Sequence, residues 1–238
     1  MKIEVYPDAN MVAQEAAKII AKKAREAVAA RGRFVMAVSG GKTPWIMLRD
    51  LAHEDVPWND IHVVQVDERV APEGDPDRNL THLRETLLAN APVRPEQIHA
   101  MPVEATDSEA ACDRYALLLR TLAGSPPVLD LVHLGLGPDG HTASLVPGDP
   151  VREVKNADVA LTGMYQNRRR MTLTYPIINR CRLVLWLVTG NEKTGMLTRL
   201  RTGDDSIPAG HVRSDRAVIL ADRAAAGPFA MDSKTEVA

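Results

Sequence analysis

Cysteine, net charge and long apolar runs are all scarce in this chain of 238 residues. Its two cysteines, Cys112 and Cys181, stand apart from any paired-ligand spacing. That argues against a disulfide framework or a cysteine-rich zinc site and fits a reduced, cytoplasmic setting. The formal net charge of -2 supplies no global basic field to draw in nucleic acid. The longest purely apolar run, Leu183 to Val188, is far too short to cross a bilayer, and Met1 to Asp8 lacks the apolar core of a signal peptide. Neither a membrane nor a nucleic-acid partner is therefore expected. Paired histidines at metal-ligand spacing, a Walker loop, a dinucleotide fingerprint and a G-x-S-x-G elbow are also missing. There is no internal repeat, low-complexity tract or clear linker, so residues 1–238 are expected to form one α/β domain.

What is present is an alternation of strand and helix patterns. Ile3 to Tyr6 reads as a strand, and Val12, Ala16, Ile19, Ile20, Ala24 and Val28 mark an amphipathic helix ended by Gly32. The apolar run Phe34 to Val38 suits a strand covered on both faces, and Trp45 to Leu51 a helix. Further strands are expected at Ile61 to Val66, Leu129 to Leu134, Arg170 to Thr174, Arg182 to Val188 and Ala217 to Leu220. Helices are expected at Asn79 to Leu88, Ser108 to Leu122 and Asn191 to Leu200. This order predicts an α/β fold with a mainly parallel sheet and helices on both faces.

Several strands end in residues suited to chemistry. Leu134-Gly135-Leu136-Gly137-Pro138-Asp139-Gly140-His141 places a His two residues after an Asp in a glycine-rich loop. Ligands of open α/β sheets bind at the carboxyl ends of strands. A His there can take a proton near neutral pH, with the carboxylate orienting its ring. The bland alternative is a structural or solvent-exposed His141. The loop Ser39-Gly40-Gly41-Lys42-Thr43-Pro44 joins a strand to a helix, with Pro44 at the first helical position. It reads either as a phosphate cradle, built from backbone amides and the Ser39 and Thr43 hydroxyls, or as a plain tight turn. Arg69, in Asp67-Glu68-Arg69, is free to grip a phosphate or carboxylate, or else pairs with Asp67, Glu68 or the acidic loop that follows. Arg170 precedes a β-like run and is favoured over Arg168 and Arg169 to face a ligand. Lys193 is a further phosphate contact or an ordinary surface lysine. His133, inside an apolar strand, is expected to be buried.

Taken in order, these segments resemble the glucosamine-6-phosphate isomerase/6-phosphogluconolactonase family. The carrying residues are Ser39 to Pro44, Val66 to Arg69, Asn79 with the helix through Leu88, Leu134 to Leu145, Arg170 to Thr174 and Asp215 to Leu220. Thr142-Ala143-Ser144-Leu145-Val146-Pro147 fits the lactonase branch better than the deaminase branch, for which Asp67 could serve as base. The resemblance implies a Rossmann-like fold and hydrolysis of 6-phospho-D-glucono-1,5-lactone to 6-phosphogluconate, without metal or organic cofactor. It implies His141 and Asp139 as catalytic residues. Ser39, Gly40, Gly41, Lys42, Thr43, Asp67, Arg69, Asn79, Arg170 and Lys193 are then substrate or phosphate contacts. The partner is a small sugar-phosphate lactone, and the protein a monomer or weak homo-oligomer. Three residues depart from the family's habit. Lys42 stands where members often carry a small residue, Arg78 where Ser is common, and Val146 where Phe is frequent.

Overall fold

The computed structural model describes residues 1–227. Seven strands form one parallel sheet: β1 (Lys2–Tyr6), β2 (Phe34–Val38), β3 (Ile61–Gln65), β5 (Ile98–His99), β6 (Leu131–Gly135), β9 (Val184–Val188) and β10 (Ala217–Asp222). Three more, β4 (Asp67–Arg69), β7 (Val159–Leu161) and β8 (Arg170–Leu173), form a small antiparallel sheet. The helices are α1 (Ala9–Arg31), α2 (Lys42–Leu51), α3 (Asn79–Leu83), α4 (Ser108–Ala123), α5 (Tyr175–Arg180), α6 (Thr194–Arg201) and α7 (Arg223–Ala226).

Period-two strand geometry explains how the layers form. Phe34, Met36 and Val38 of β2 enter one core with Val12, Ile20 and Ala24 of α1 and Met47, Leu48 and Leu51 of α2. Val35 and Ala37 of the same strand enter the other core with Ala111, Tyr115 and Leu119 of α4, Ile177 of α5 and Leu197 of α6. Helices thus cover both faces, and β2 and β9 are buried along their whole length. The Asp8 carboxylate opens α1 by accepting from the amides of Asn10 and Met11, at 2.9 and 3.0 Å. Among the described residues no helix is long and apolar enough to cross a membrane.

Sheet order fixes where a ligand can enter. The order is β1-β10-β9-β6-β2-β3-β5. From β2 the chain adds strands toward one edge, and from β6 toward the other. Strands β2 and β6 are therefore the point of reversal, and their carboxyl-end loops open a crevice between them. The glycine-rich loops that the sequence singles out follow these two strands.

Three expectations are corrected. Asp67-Glu68-Arg69 is not merely the end of β3 but the separate strand β4, paired antiparallel with β8. Helix α2 begins at Lys42, so Pro44 is its third residue rather than its first. Its missing N–H costs nothing there, because the first four helical amides have no intrahelical acceptor. Finally, the helix from Asn79 changes to wider π-type turns over Arg84–Leu88, and the segment from Asn191 begins with a 3₁₀ turn, Asn191–Lys193, before α6.

Candidate active site

A cavity of about 440 Å³ lies at the crevice between β2 and β6. Ser39, Gly40, Gly41, Lys42, Thr43, Asp67, Arg69, Asn79, His141, Arg170 and Lys193 all line it. Of the site residues expected from sequence, only Asp139 is set back, behind the His141 ring. The lining also includes Ala143, Thr189 and Glu192, which sequence reasoning did not single out.

The loop after β2 is held from beneath by His133. Its buried Nδ1 accepts the Ser39 amide at 3.2 Å, and burial pushes its pKa down to about 3. His133 is thus a neutral acceptor, as its place in an apolar strand suggests. Gly40 is required by close approach: a Cβ there would overlap Asn79 Oδ1 and lie 2.8 Å from Asn79 Cγ. Thr43 Oγ1 shares a hydrogen bond of 2.8 Å with Thr189 Oγ1, joining this loop to the end of β9.

The small antiparallel sheet supplies the cationic wall. Arg69 of β4 and Arg170 of β8 are directly opposite in register. Like charges directly opposite are destabilising unless something neutralises them. Both guanidinium groups are held by neutral partners. Arg69 Nη1 donates to the Asp77 carbonyl oxygen at 2.6 Å and to Asn79 Oδ1 at 2.9 Å. Arg170 Nη2 donates to Gln166 Oε1 at 3.0 Å, and its Cζ lies 5.0 Å from the centroid of the Tyr165 ring. Burial, opposed by the charge of Asp67, pulls the Arg170 pKa below its ordinary value, though a guanidinium remains charged.

The acidic loop that could have neutralised Arg69 is taken by Arg168, which contacts Asp75 at 3.1 Å and Asp77 at 3.0 Å. Arg169 donates to the Thr162 carbonyl oxygen. Neither neighbour of Arg170 lines the cavity. Ser39 Oγ, Arg69 Nε and Arg170 Nε are buried without a hydrogen-bond partner among the described residues. Buried polar atoms left unpaired among the described residues, on side chains that line the cavity, mark this end of it as suited to an anion. Lys42 and Lys193 add positive charge, against Asp67 and Glu192.

On the loop after β6, His141 Nδ1 meets Asp139 Oδ1 at 2.5 Å, and the His141 amide donates to the same oxygen at 3.1 Å. Gly137 makes this possible. A Cβ there would overlap His141 Nδ1 and come within 2.7 Å of Asp139 Oδ1. Burial opposes ionisation of Asp139. The His141 amide, charge and ring hydrogen bond together outweigh it and hold the carboxyl below its ordinary pKa. An ionised acceptor assigns the Nδ1 proton to donation and leaves Nε2 as the basic nitrogen.

Tyr165 was not legible as a site residue. Its O–H donates to Asp139 Oδ2 at 3.2 Å, and its ring meets His141 edge-on, with centroids 5.6 Å apart. Glu68 was also passed over. Fully buried, it accepts the amides of Arg69, Asn79 and Leu80, each at 2.8 Å, and so sets the position of Asn79. Arg78 explains its own departure from the family's habit: its Nε lies 3.1 Å from Glu68 Oε2. Val146 is buried, and Lys42 is exposed at the cavity mouth rather than crowding it. Among the described residues no cluster of three or more His, Cys, Asp or Glu side chains is arranged to hold a metal ion.

Known proteins resemble this chain over most of its length. The family model described as "Glucosamine-6-phosphate isomerases/6-phosphogluconolactonase" matches residues 7–220. A 6-phosphogluconolactonase of Synechocystis sp. is 36% identical over 196 residues, covering 81% of each chain. One of Mycobacterium tuberculosis is 35% identical over 238 residues, covering 94% of this chain and 96% of its own. The crystal structure of 6-phosphogluconolactonase from Thermotoga maritima superposes with a TM-score of 0.82 at 28% identity, covering 93% of this chain and 98% of that one.

Proposed function

This chain belongs to the glucosamine-6-phosphate isomerase/6-phosphogluconolactonase family, and on that premise we propose that it is an enzyme of the lactonase branch. It hydrolyses 6-phospho-D-glucono-1,5-lactone to 6-phospho-D-gluconate, a step of the oxidative pentose phosphate pathway. The observation that carries this reading is the meeting of two unlike devices in one cavity. One is the pair of opposed guanidinium groups, Arg69 and Arg170, which form no ion pair with a carboxylate among the described residues. The other is the His141–Asp139 dyad.

The phosphate sits against the Ser39–Thr43 loop, Arg69 and Arg170, with Lys42 and Lys193 adding charge and Asn79 steadying Arg69. Anchoring that end places the lactone carbonyl beside His141. Neutral His141, through Nε2, takes a proton from water as the water oxygen bonds to C1. The bond from C1 to the ring oxygen then breaks, and the imidazolium returns the proton to that oxygen. Asp139 fixes the ring through Nδ1–H and balances the imidazolium charge. Binding energy from the remote phosphate is used at the reacting carbon, where orientation lowers the barrier.

The protein works as one folded unit, since strands of both sheets supply the cavity. It acts in the cytoplasm as a monomer or weak homo-oligomer, on a small molecule rather than on nucleic acid or membrane. The near-zero net charge and the two unpaired, buried cysteines support that setting.

A short-time hydrolysis assay, corrected for spontaneous ring opening, tests the reading. Hydrogen bonds to charged groups are worth about 1.5–3 kcal/mol each, so kcat/KM is expected to favour the phosphorylated lactone over gluconolactone by roughly 10²-fold or more. Equal values for the two lactones would remove the anion anchor. Release of ammonia from glucosamine 6-phosphate would move the chain to the deaminase branch. Gly40→Ala is a sharper probe of the anchor. Its methyl displaces Asn79 and loosens Arg69, and overpacking of about 1–3 kcal/mol should appear as a rise in KM of about tenfold, with kcat little changed. An unaltered KM would show that the Asn79–Arg69 contact does not bear on substrate.

A further inference from the structure

We infer that Tyr165 is a positioning residue that ties the proton acceptor to the phosphate clamp. This rests on the reading of His141 as base and Arg170 as phosphate ligand. Tyr165 begins a tight hairpin turn between β7 and β8. Its amide donates to the Arg168 carbonyl oxygen at 3.0 Å, and the Arg168 amide donates back to the Tyr165 carbonyl oxygen at 3.2 Å. The two central residues, Gln166 and Asn167, have φ values of 50° and 61°. Positive φ at both positions is the turn geometry that matches strand twist in a two-residue hairpin. Only at its C-terminal arm does this hairpin lead into Arg170, so one short element carries both the tyrosine and the clamp.

Tyr165 touches both members of the dyad and Arg170. Its hydroxyl donates to Asp139 Oδ2, while Asp139 Oδ1 accepts both the amide and the ring Nδ1–H of His141. The carboxylate therefore has both oxygens engaged, and it is the tyrosine that stops it from pivoting about the histidine. Burial, and then the charge and hydrogen bond of Asp139, raise the phenol pKa, so the hydroxyl stays a donor across the working range of a histidine base. The edge of the ring stands against the His141 ring, with an interplanar angle of 67°. Its face lies under the Arg170 guanidinium, and the next residue, Gln166, accepts a hydrogen bond from the same guanidinium. A phosphate drawn to Arg170 thus bears on the residue that sets the base.

The two contacts are separable by mutation. Tyr165→Phe keeps the ring under Arg170 and removes only the donor to Asp139. Its kcat for the phosphorylated lactone is expected to fall about tenfold, as for loss of one hydrogen bond to a charged group, with KM unchanged within about twofold. The acid limb of its kcat/KM profile should also move to higher pH. Without the phenol donor, the carboxylate holds the imidazolium more strongly. The other charged groups lining the cavity, Asp67, Arg69, Arg170, Glu192, Lys42 and Lys193, are common to wild type and variant and do not produce that displacement. Tyr165→Ala removes the cation–π contact as well, so KM should rise in addition to the fall in kcat.

A merely structural tyrosine would leave the acid limb where it is. An unmoved limb in Tyr165→Phe, whatever its kcat, would overturn the inference. His141→Gln, assayed beside it, separates the two failures. Loss of activity in that variant with an unaltered Tyr165→Phe sinks the tyrosine alone, whereas retained activity in His141→Gln sinks both the base and its positioning residue.

Discussion

Replacement of His141 by Ala is expected to lower kcat for the phosphorylated lactone by about 10²–10⁴-fold, the usual contribution of positioned acid–base catalysis, while KM changes little. The reason lies in the division of the cavity. Binding comes from guanidinium groups and hydroxyls on β4, β8 and the loop after β2, none of which touches the imidazole through a hydrogen bond. Removing the ring takes away proton transfer and leaves the anchor standing. In the wild-type protein, kcat/KM should fall on acidification with unit slope. Only neutral His141 accepts the proton from water, and Asp139, held below its ordinary pKa, stays ionised throughout. A slope of two would mean that Asp139 titrates with it. Near-normal kcat in His141→Ala would leave this site without a base.

Gly137 gives the same claim a geometric check, because the dyad exists only where no Cβ intrudes beneath the imidazole. The glycine spacing around Asp139 and His141 was legible because it depends on local chain geometry. So was the central sheet, whose buried strands β2 and β9 read as continuous apolar runs that suit a parallel, doubly covered sheet. The antiparallel sheet was hidden for the opposite reason. Its strand β4 is the polar triplet Asp67–Arg69, paired with residues about a hundred positions later in the chain, and no local pattern announces such a partner.

Tyr165 was hidden in the same way, since its value comes from contacts to Asp139 and Arg170 and not from its polar neighbours in sequence. The choice between binding and ion pairing for Arg69 also turned on a distant residue. Arg168 captures Asp75 and Asp77 and so leaves Arg69 to the cavity. Glu68 entered the sequence reading only as a possible partner for Arg69, yet it has no exposed surface at all.

That buried carboxylate leads to the largest expected effect on stability. Glu68→Ala strips the acceptor from the amides of Arg69, Asn79 and Leu80 and from Gln65 Nε2 at one stroke. It also strands Arg78, whose side chain is only 2% exposed and whose other carboxylate neighbour, Glu104, is half exposed and 3.6 Å from Nη1. Removing one partner of a buried ion pair costs about 3–5 kcal/mol, a large part of a typical domain stability of about 5–15 kcal/mol. The urea midpoint of Glu68→Ala should drop accordingly with the m-value unchanged. Arg78→Met leaves the carboxylate with its amide donors and should cost less. In Glu68→Ala/Arg78→Met the two losses should not add, with a coupling of about 0.5–3 kcal/mol. Because Glu68 also fixes Asn79, and Asn79 Oδ1 steadies Arg69, the folded fraction of Glu68→Gln should show a raised KM for the phosphorylated lactone. A midpoint for Glu68→Ala within about 1 kcal/mol of wild type, the ordinary effect of a point substitution, would mean that water replaces the carboxylate at no cost. The antiparallel sheet would then hold its arginines without this buried acid.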